Sequence, residues 1–141
     1  LSQLMLDRAA AKARQRGARN IRFARRDLSA LPERDGSWQV VIAAHVLHLL
    51  PEPERAAAEL WRVTAPGGLL LLPTYLQGEA SPLFRGVLFC WRRLGFRPCR
   101  QFTLESYAAF FRGCGLSAQV ERIPGCLPVG FAVLNKAERS E

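Results

Sequence analysis

The sequence predicts an α/β domain: a sheet with helices on both faces and an antiparallel strand pair towards its C-terminal end. Short runs rich in valine, isoleucine and leucine alternate with segments whose apolar residues recur at helical spacing. The 141 residues, 49% hydrophobic and 23% charged, suffice for one core and not for two. Breakers punctuate the junctions, as at Gly17, Pro32, Gly36, Pro51 and Pro66-Gly67-Gly68. The chain therefore reads as one domain over residues 1–141, with 76–101 as a lid or substrate-region insertion.

The first helix is expected over about residues 3–16, capped by Ser2, striped by Leu6, Ala9, Ala10 and Ala13, and ended by Gly17. Ile21 and Phe23 alternate with polar neighbours, which predicts a short strand at 19–24. Pro32, Asp35 and Gly36 mark 27–37 as loop. Residues 38–44 are almost continuously apolar, as in a strand buried on both faces of a parallel sheet. Residues 45–50 predict a short helical or irregular connection before Pro51. Pro53 suits the first position of a helix to about Val63, with Ala56, Ala57, Leu60 and Val63 facing inward. Pro66-Gly67-Gly68 then predicts a turn, and 69–72 a buried strand closed by Pro73. In 76–101, Phe84, Val87, Leu88, Trp91 and Leu94 recur at helical spacing, with Arg85, Arg92 and Arg93 opposite. Thr103 caps a last helix through Phe111, ended by Gly113 or Gly115. Residues 117–122 and 127–134 form the closing strand pair.

Composition excludes several classes. The longest uncharged apolar stretch, 38–50, is too short to cross a bilayer and holds two histidines. No basic-then-apolar leader is visible, so a cytoplasmic location is expected. Cys90, Cys99, Cys114 and Cys126 form no C-x-x-C pair and suggest reduced thiols rather than a zinc site. The net charge is +8, and Arg8, Lys12, Arg14, Arg16, Arg19, Arg22, Arg25 and Arg26 crowd one segment, which keeps an anionic partner under consideration.

Ligands of open parallel sheets bind beyond the carboxyl ends of the strands. Three segments occupy that place here: 26–28, 44–45 and 73–75. Asp27 can accept a hydrogen bond from an exocyclic amine such as that of adenine, or it can be a turn aspartate. His45 and His48 stand three apart, on one side of a helical turn. They read as a general base facing a substrate, or as cap and packing residues; a metal pair is disfavoured for want of a third ligand.

The runs SQLMLDRAAAKARQRGARNIRFARRDLSALP and WQVVIAAHVLHLLPEPERAAAELWRVTAPGGLLLLPTY resemble a class I S-adenosylmethionine-dependent methyltransferase, of the group that includes the ubiquinone/menaquinone-biosynthesis type. The string E-L-W-R-V-T-A-P-G-G is similar to that family's helix-to-fifth-strand junction. The resemblance spans residues 1–76 and continues more weakly through FTLESYAAFFRGCGLSAQVE. It implies a Rossmann-like methyltransferase sheet, S-adenosylmethionine as cofactor, and methyl transfer to a small-molecule or lipid-like acceptor. It places Asp27 and Leu28 on the adenine, by side chain and backbone, with Leu1 packed nearby. Met5 matches the methionine of the family's S-x-x-M-L string. Ala44 and His45 fall where the fourth strand ends beside the methionine part and the acceptor. His48, Tyr75 and the 78–98 region would line or cover the acceptor pocket, with His48 the candidate base.

The departures carry their own expectation. The family's G-x-G-x-G loop and ribose-binding acid have no counterpart, so the resemblance implies a C-terminal fragment lacking the first strand, the glycine-rich loop and the second strand. The missing strands would lie between 19–24 and 38–44. Poor stability and little cofactor affinity are therefore expected of these residues alone. A basic nucleic-acid-binding or RNA-modifying protein is the alternative from charge, although no aromatic-and-basic stacking platform accompanies the arginines. A non-catalytic remnant is another. The apolar, arginine-edged segment at 84–94 adds a peripheral membrane contact as a candidate partner.

Overall fold

In a computed structural model of the chain, which describes residues 3–93, 95 and 99–138, four strands form one mixed sheet. Leu1 and Ser2 lie outside the described residues, as do Leu94 and the side chains of Leu88, Trp91 and Arg92 from the expected lid stripe. The elements are α1 (Gln3–Gln15), β1 (Trp38–Ile42), α2 (Pro53–Val63), β2 (Thr64–Tyr75), α3 (Pro82–Arg93), α4 (Leu104–Gly113), β3 (Gln119–Ile123) and β4 (Val129–Asn135). The spatial order is β1-β2-β4-β3. β1 and β2 run parallel with α2 as their crossover, while β2–β4 and β4–β3 are antiparallel.

Alternation along the central strands sets the core. Leu70 and Leu72 of β2 and Ala132 and Leu134 of β4 are fully buried, on the parity that a pleated strand presents to one face. One hydrophobic cluster joins them to Ala56, Ala57 and Leu60 of α2 and to Tyr107, Phe110 and Phe111 of α4. The four inward residues expected of α2 are all buried, and Pro53 opens that helix as its sequence predicts. In α4 the Thr103 side chain accepts from the Ser106 amide at 3.1 Å, and Ser106 Oγ accepts from the Thr103 amide at 2.8 Å. Each bond satisfies a backbone donor left over at a helix start. The Tyr107 hydroxyl donates to the Leu72 carbonyl at 2.6 Å, and its ring lies 4.9 Å from those of both Phe102 and Phe111.

Several sequence expectations need correction. Residues 19–24 form no strand, with Ile21 and Phe23 50% and 41% exposed. No described strand lies alongside, and alternation without a ladder partner does not make a strand. β1 is an edge rather than a strand buried on both faces: Trp38, Val40 and Ile42 are more than half exposed, and β2 is its single described neighbour. Finally, 66–68 is no inter-element turn. It is a bulge inside β2, because the register jumps from Trp38↔Thr64 to Val40↔Leu69. Gly67 takes φ +72° there, and Gly68 lies against the backbone of β1.

Pro73 also proves internal to β2 rather than its end. The Ala43 amide donates to Leu71 O at 3.0 Å and the His45 amide to Pro73 O at 2.8 Å, past the last residue of β1. The donor that proline lacks belongs to the rung between them, beyond β1, so the sheet proper loses nothing.

Candidate functional site

At the carboxyl end of β1 a cleft of ≈970 Å³ opens between the 24–28 segment and residues 42–46, with Leu49, Leu50 and Leu60 completing its wall. Asp27 and Leu28 are held there by the loop that follows them. Asp27 Oδ1 accepts from the Ser29 amide at 2.9 Å, so the carboxylate closes a turn while also lining the cleft.

That loop is fastened to α2 by Arg62. Its guanidinium donates to both oxygens of Glu59 at 2.8 Å, to Asp35 at 2.8 Å, and to the carbonyls of Leu31 and Glu33 at 2.9 Å. Glu59 in turn accepts from the Leu31 amide at 2.8 Å. The Arg62 hydrogen bond, followed by that amide, pulls the Glu59 carboxyl down from 4.5 to about 2. A depressed carboxylate contributes stability above its unfolded value and loses it as pH falls through the folded one. The fastening is thus fully present above pH 4.5 and fails on approaching about 2. The Leu31 amide proton shift should titrate with a midpoint near that lower value, and Arg62→Met should raise the midpoint towards 4.5. An unchanged midpoint in the variant would disconnect Arg62 from the loop.

On the other wall, Ala44 and His45 line the cleft. His45 has φ +53°, a left-handed conformation that costs a non-glycine residue about 1–2 kcal/mol. Its ring stacks on Tyr75 at 4.0 Å and 17°, its Nδ1 is buried without a hydrogen-bond partner, and burial lowers its pKa. His48 follows in a 3-10 turn (Leu47–Leu49) and is 2% exposed. Its Nδ1 lies 3.1 Å from Thr74 Oγ1, and Tyr75 meets it edge-on at 6.1 Å. Burial first, then the nearby His45, lower its pKa.

The structure thus brings Asp27, Leu28, Ala44 and His45 to one cleft, with Tyr75 behind His45. It does not place the candidate base His48 on the cleft wall. The helical spacing rule assumes one continuous helix, and His45 precedes the turn in a left-handed conformation. Met5 sits on α1, 59% exposed and apart from the described cleft lining. Leu1 lies outside the described residues. Sequence reasoning names Arg25 only within the basic segment and not as a residue of the cleft it lines, and it does not single out Thr74 as the partner of His48. Thr74 was findable: it is the polar member of the inward series Leu70, Leu72, Thr74.

Among the described residues no group of three or more His, Cys, Asp or Glu could hold a metal. No described helix is long and apolar enough to cross a membrane.

Comparison with known proteins places this geometry. A family model described as a methyltransferase domain matches residues 1–72. Demethylmenaquinone methyltransferase of Renibacterium salmoninarum is 37% identical over 76 residues, covering 54% of this chain and 32% of the relative. The chain spans about a third or less of the length of the curated relatives it matches. Among solved structures, the [4+2]-cyclase SpnF aligns with TM-score 0.75 at 19% identity, over 97% of this chain and 65% of that one. A SAM-dependent methyltransferase from Aquifex aeolicus aligns with TM-score 0.70 at 17% identity, over 94% and 65%.

Proposed function

Because this chain belongs to the methyltransferase-domain family, a class I family whose cofactor is S-adenosylmethionine, we propose that its cleft takes part in methyl transfer to a small-molecule or lipid-like acceptor. The observation that carries the reading is the meeting of Asp27 and Leu28 with Ala44 and His45 across one cleft at the carboxyl end of β1.

The described lining suits part of the cofactor. The Asp27 carboxylate, half engaged by the Ser29 amide, can accept from the adenine amine, and the Leu28 amide is the adjoining donor. The apolar wall of Ala44, Leu49 and Leu50 suits the flat face of the base. For ribose hydroxyls the fit is poorer: Asp27 is the single carboxylate among the described lining residues, and no glycine lies among them. When bound, S-adenosylmethionine supplies an electrophilic methyl group on a sulfonium. This chain's contribution is to hold the adenine edge, exclude water along the apolar wall and orient the acceptor beside His45. His48, assigned here to Thr74, steadies the wall from behind and becomes a base only for an acceptor that reaches past Tyr75.

The relative from Renibacterium salmoninarum is named for a quinone precursor, which is consistent with a lipid-like acceptor. α3 adds a reason to expect lipid contact: Phe89 is 60% exposed and Arg93 sits 5.4 Å over its ring, on a chain of net charge +8.

Titrating these 141 residues with S-adenosylmethionine should shift the amides of Asp27, Leu28 and Ala44, with a Kd of about 0.1 mM or weaker given the incomplete lining. Asp27→Asn keeps the oxygen that caps the turn and removes the charge; it should weaken binding about tenfold. Equal affinity in the variant, or shifts confined to other residues, would remove Asp27 from the cofactor site.

A further inference from the structure

His45 is unusual in three ways at once. It adopts φ +53° although it is not glycine, its ring is clamped at 4.0 Å against Tyr75, and its Nδ1 is buried with no partner. Its backbone is fixed as well, through the amide bond to Pro73 O at 2.8 Å. The ring therefore has one orientation, and its two nitrogens have different fates. A buried N–H without an acceptor is costlier and rarer than a buried lone pair without a donor. The proton of the neutral ring accordingly belongs on Nε2, the nitrogen that is not sealed, on a residue that lines the cleft. Ionising the ring would put a second proton on the sealed Nδ1, where nothing accepts it.

We propose that His45 serves this cleft as a neutral hydrogen-bond donor through Nε2–H, and so selects acceptors that present a carbonyl or ionised oxygen. The inference rests on the reading of the cleft given above and deepens it by naming the acceptor's chemistry. It makes His45 a specificity-determining residue and not a base, since a donor of this kind takes no proton from the acceptor. The surrounding groups agree for the most part. Tyr75 of β2 packs on the ring, burial disfavours its charged form, His48 of the 3-10 turn lies beyond Tyr75, and Arg25 and Arg26 line the same cleft. Asp27 is the one carboxylate among the described lining residues.

Long-range nitrogen–proton NMR of the labelled chain at about pH 7 tests the protonation state directly. His45 should appear as the neutral Nε2–H tautomer, titrating below the ordinary imidazole value. The Nδ1–H tautomer, or an imidazolium at that pH, would overturn the proposal. Selectivity is tested with 4-nitrophenolate against 4-nitrotoluene at about pH 8.5. The chain should favour the phenolate about tenfold, a preference that His45→Gln keeps and His45→Leu loses. A preference that survives His45→Leu would assign it to the arginines and refute the donor role. Neither measurement uses the cofactor. Failure here leaves the Asp27 titration standing, and failure of that titration leaves the His45 result standing.

Discussion

Tyr107→Ala should cost the chain about 3–5 kcal/mol of unfolding free energy, a large share of what a small domain possesses. The ring is fully buried, touches Phe102, Phe110 and Phe111, and its hydroxyl meets the one carbonyl of β2 that faces α4 in the described bonds. Truncation leaves an aromatic-sized void and deprives the Leu72 carbonyl of its hydroxyl donor. Tyr107→Phe separates the two effects: it keeps the packing, removes the hydroxyl and should cost about 1 kcal/mol. Urea unfolding followed by circular dichroism gives both values. If alanine cost no more than phenylalanine, α4 would not be part of the cooperative core.

Gly68→Ala should cost about 2–3 kcal/mol and also disturb the cleft. A Cβ at this position would lie 2.7 Å from the Gln39 carbonyl and 2.8 Å from that of Ala65. Both obstacles are backbone, so β1 must move away from β2, and β1 leads directly into Ala44 and His45. Gly67→Ala is the instructive neighbour. Its Cβ would meet only the Glu138 side chain at 3.4 Å, and the cost is the φ of +72°, about 1–2 kcal/mol, with no push on β1. Unfolding midpoints rank the pair. The His45 imidazole resonances should shift in Gly68→Ala and stay in place in Gly67→Ala; movement in both would mean that the bulge, not the strand contact, governs the cleft.

Much of this was legible from the residues. Pro53, the inward Ala56, Ala57, Leu60 and Val63, and the Thr103 cap follow from local rules that the fold does not override. His45 was reachable because the end of a parallel strand is a place that pattern alone locates, whereas Asp27 lines the same cleft although the strand expected before it does not form. What pattern could not supply was pairing. Residues 19–24 alternate like a strand, and Val40 to Ile42 look like a doubly buried one, yet burial depends on which neighbours are present to cover them. The roles of the two histidines were likewise hidden, since a single left-handed φ at His45 turns equal spacing into opposite environments. The bulge at 66–68 was misjudged because proline and glycine mark a break in a strand and a break between strands alike.

Pro73 has a further meaning if the sheet is viewed as a zipper. Each rung of the β1–β2 ladder closes on the one before it, and nothing in the apolar run from Val40 to Ala44 would tell the zipper to stop. The missing N–H leaves one tooth out: Pro73 offers the Ala43 carbonyl no donor, while the next rung, from the His45 amide to Pro73 O at 2.8 Å, still closes beyond the last residue of β1. The cleft thus begins at the tooth the zipper lacks, and its position along the strand is written in covalent structure before any ligand arrives.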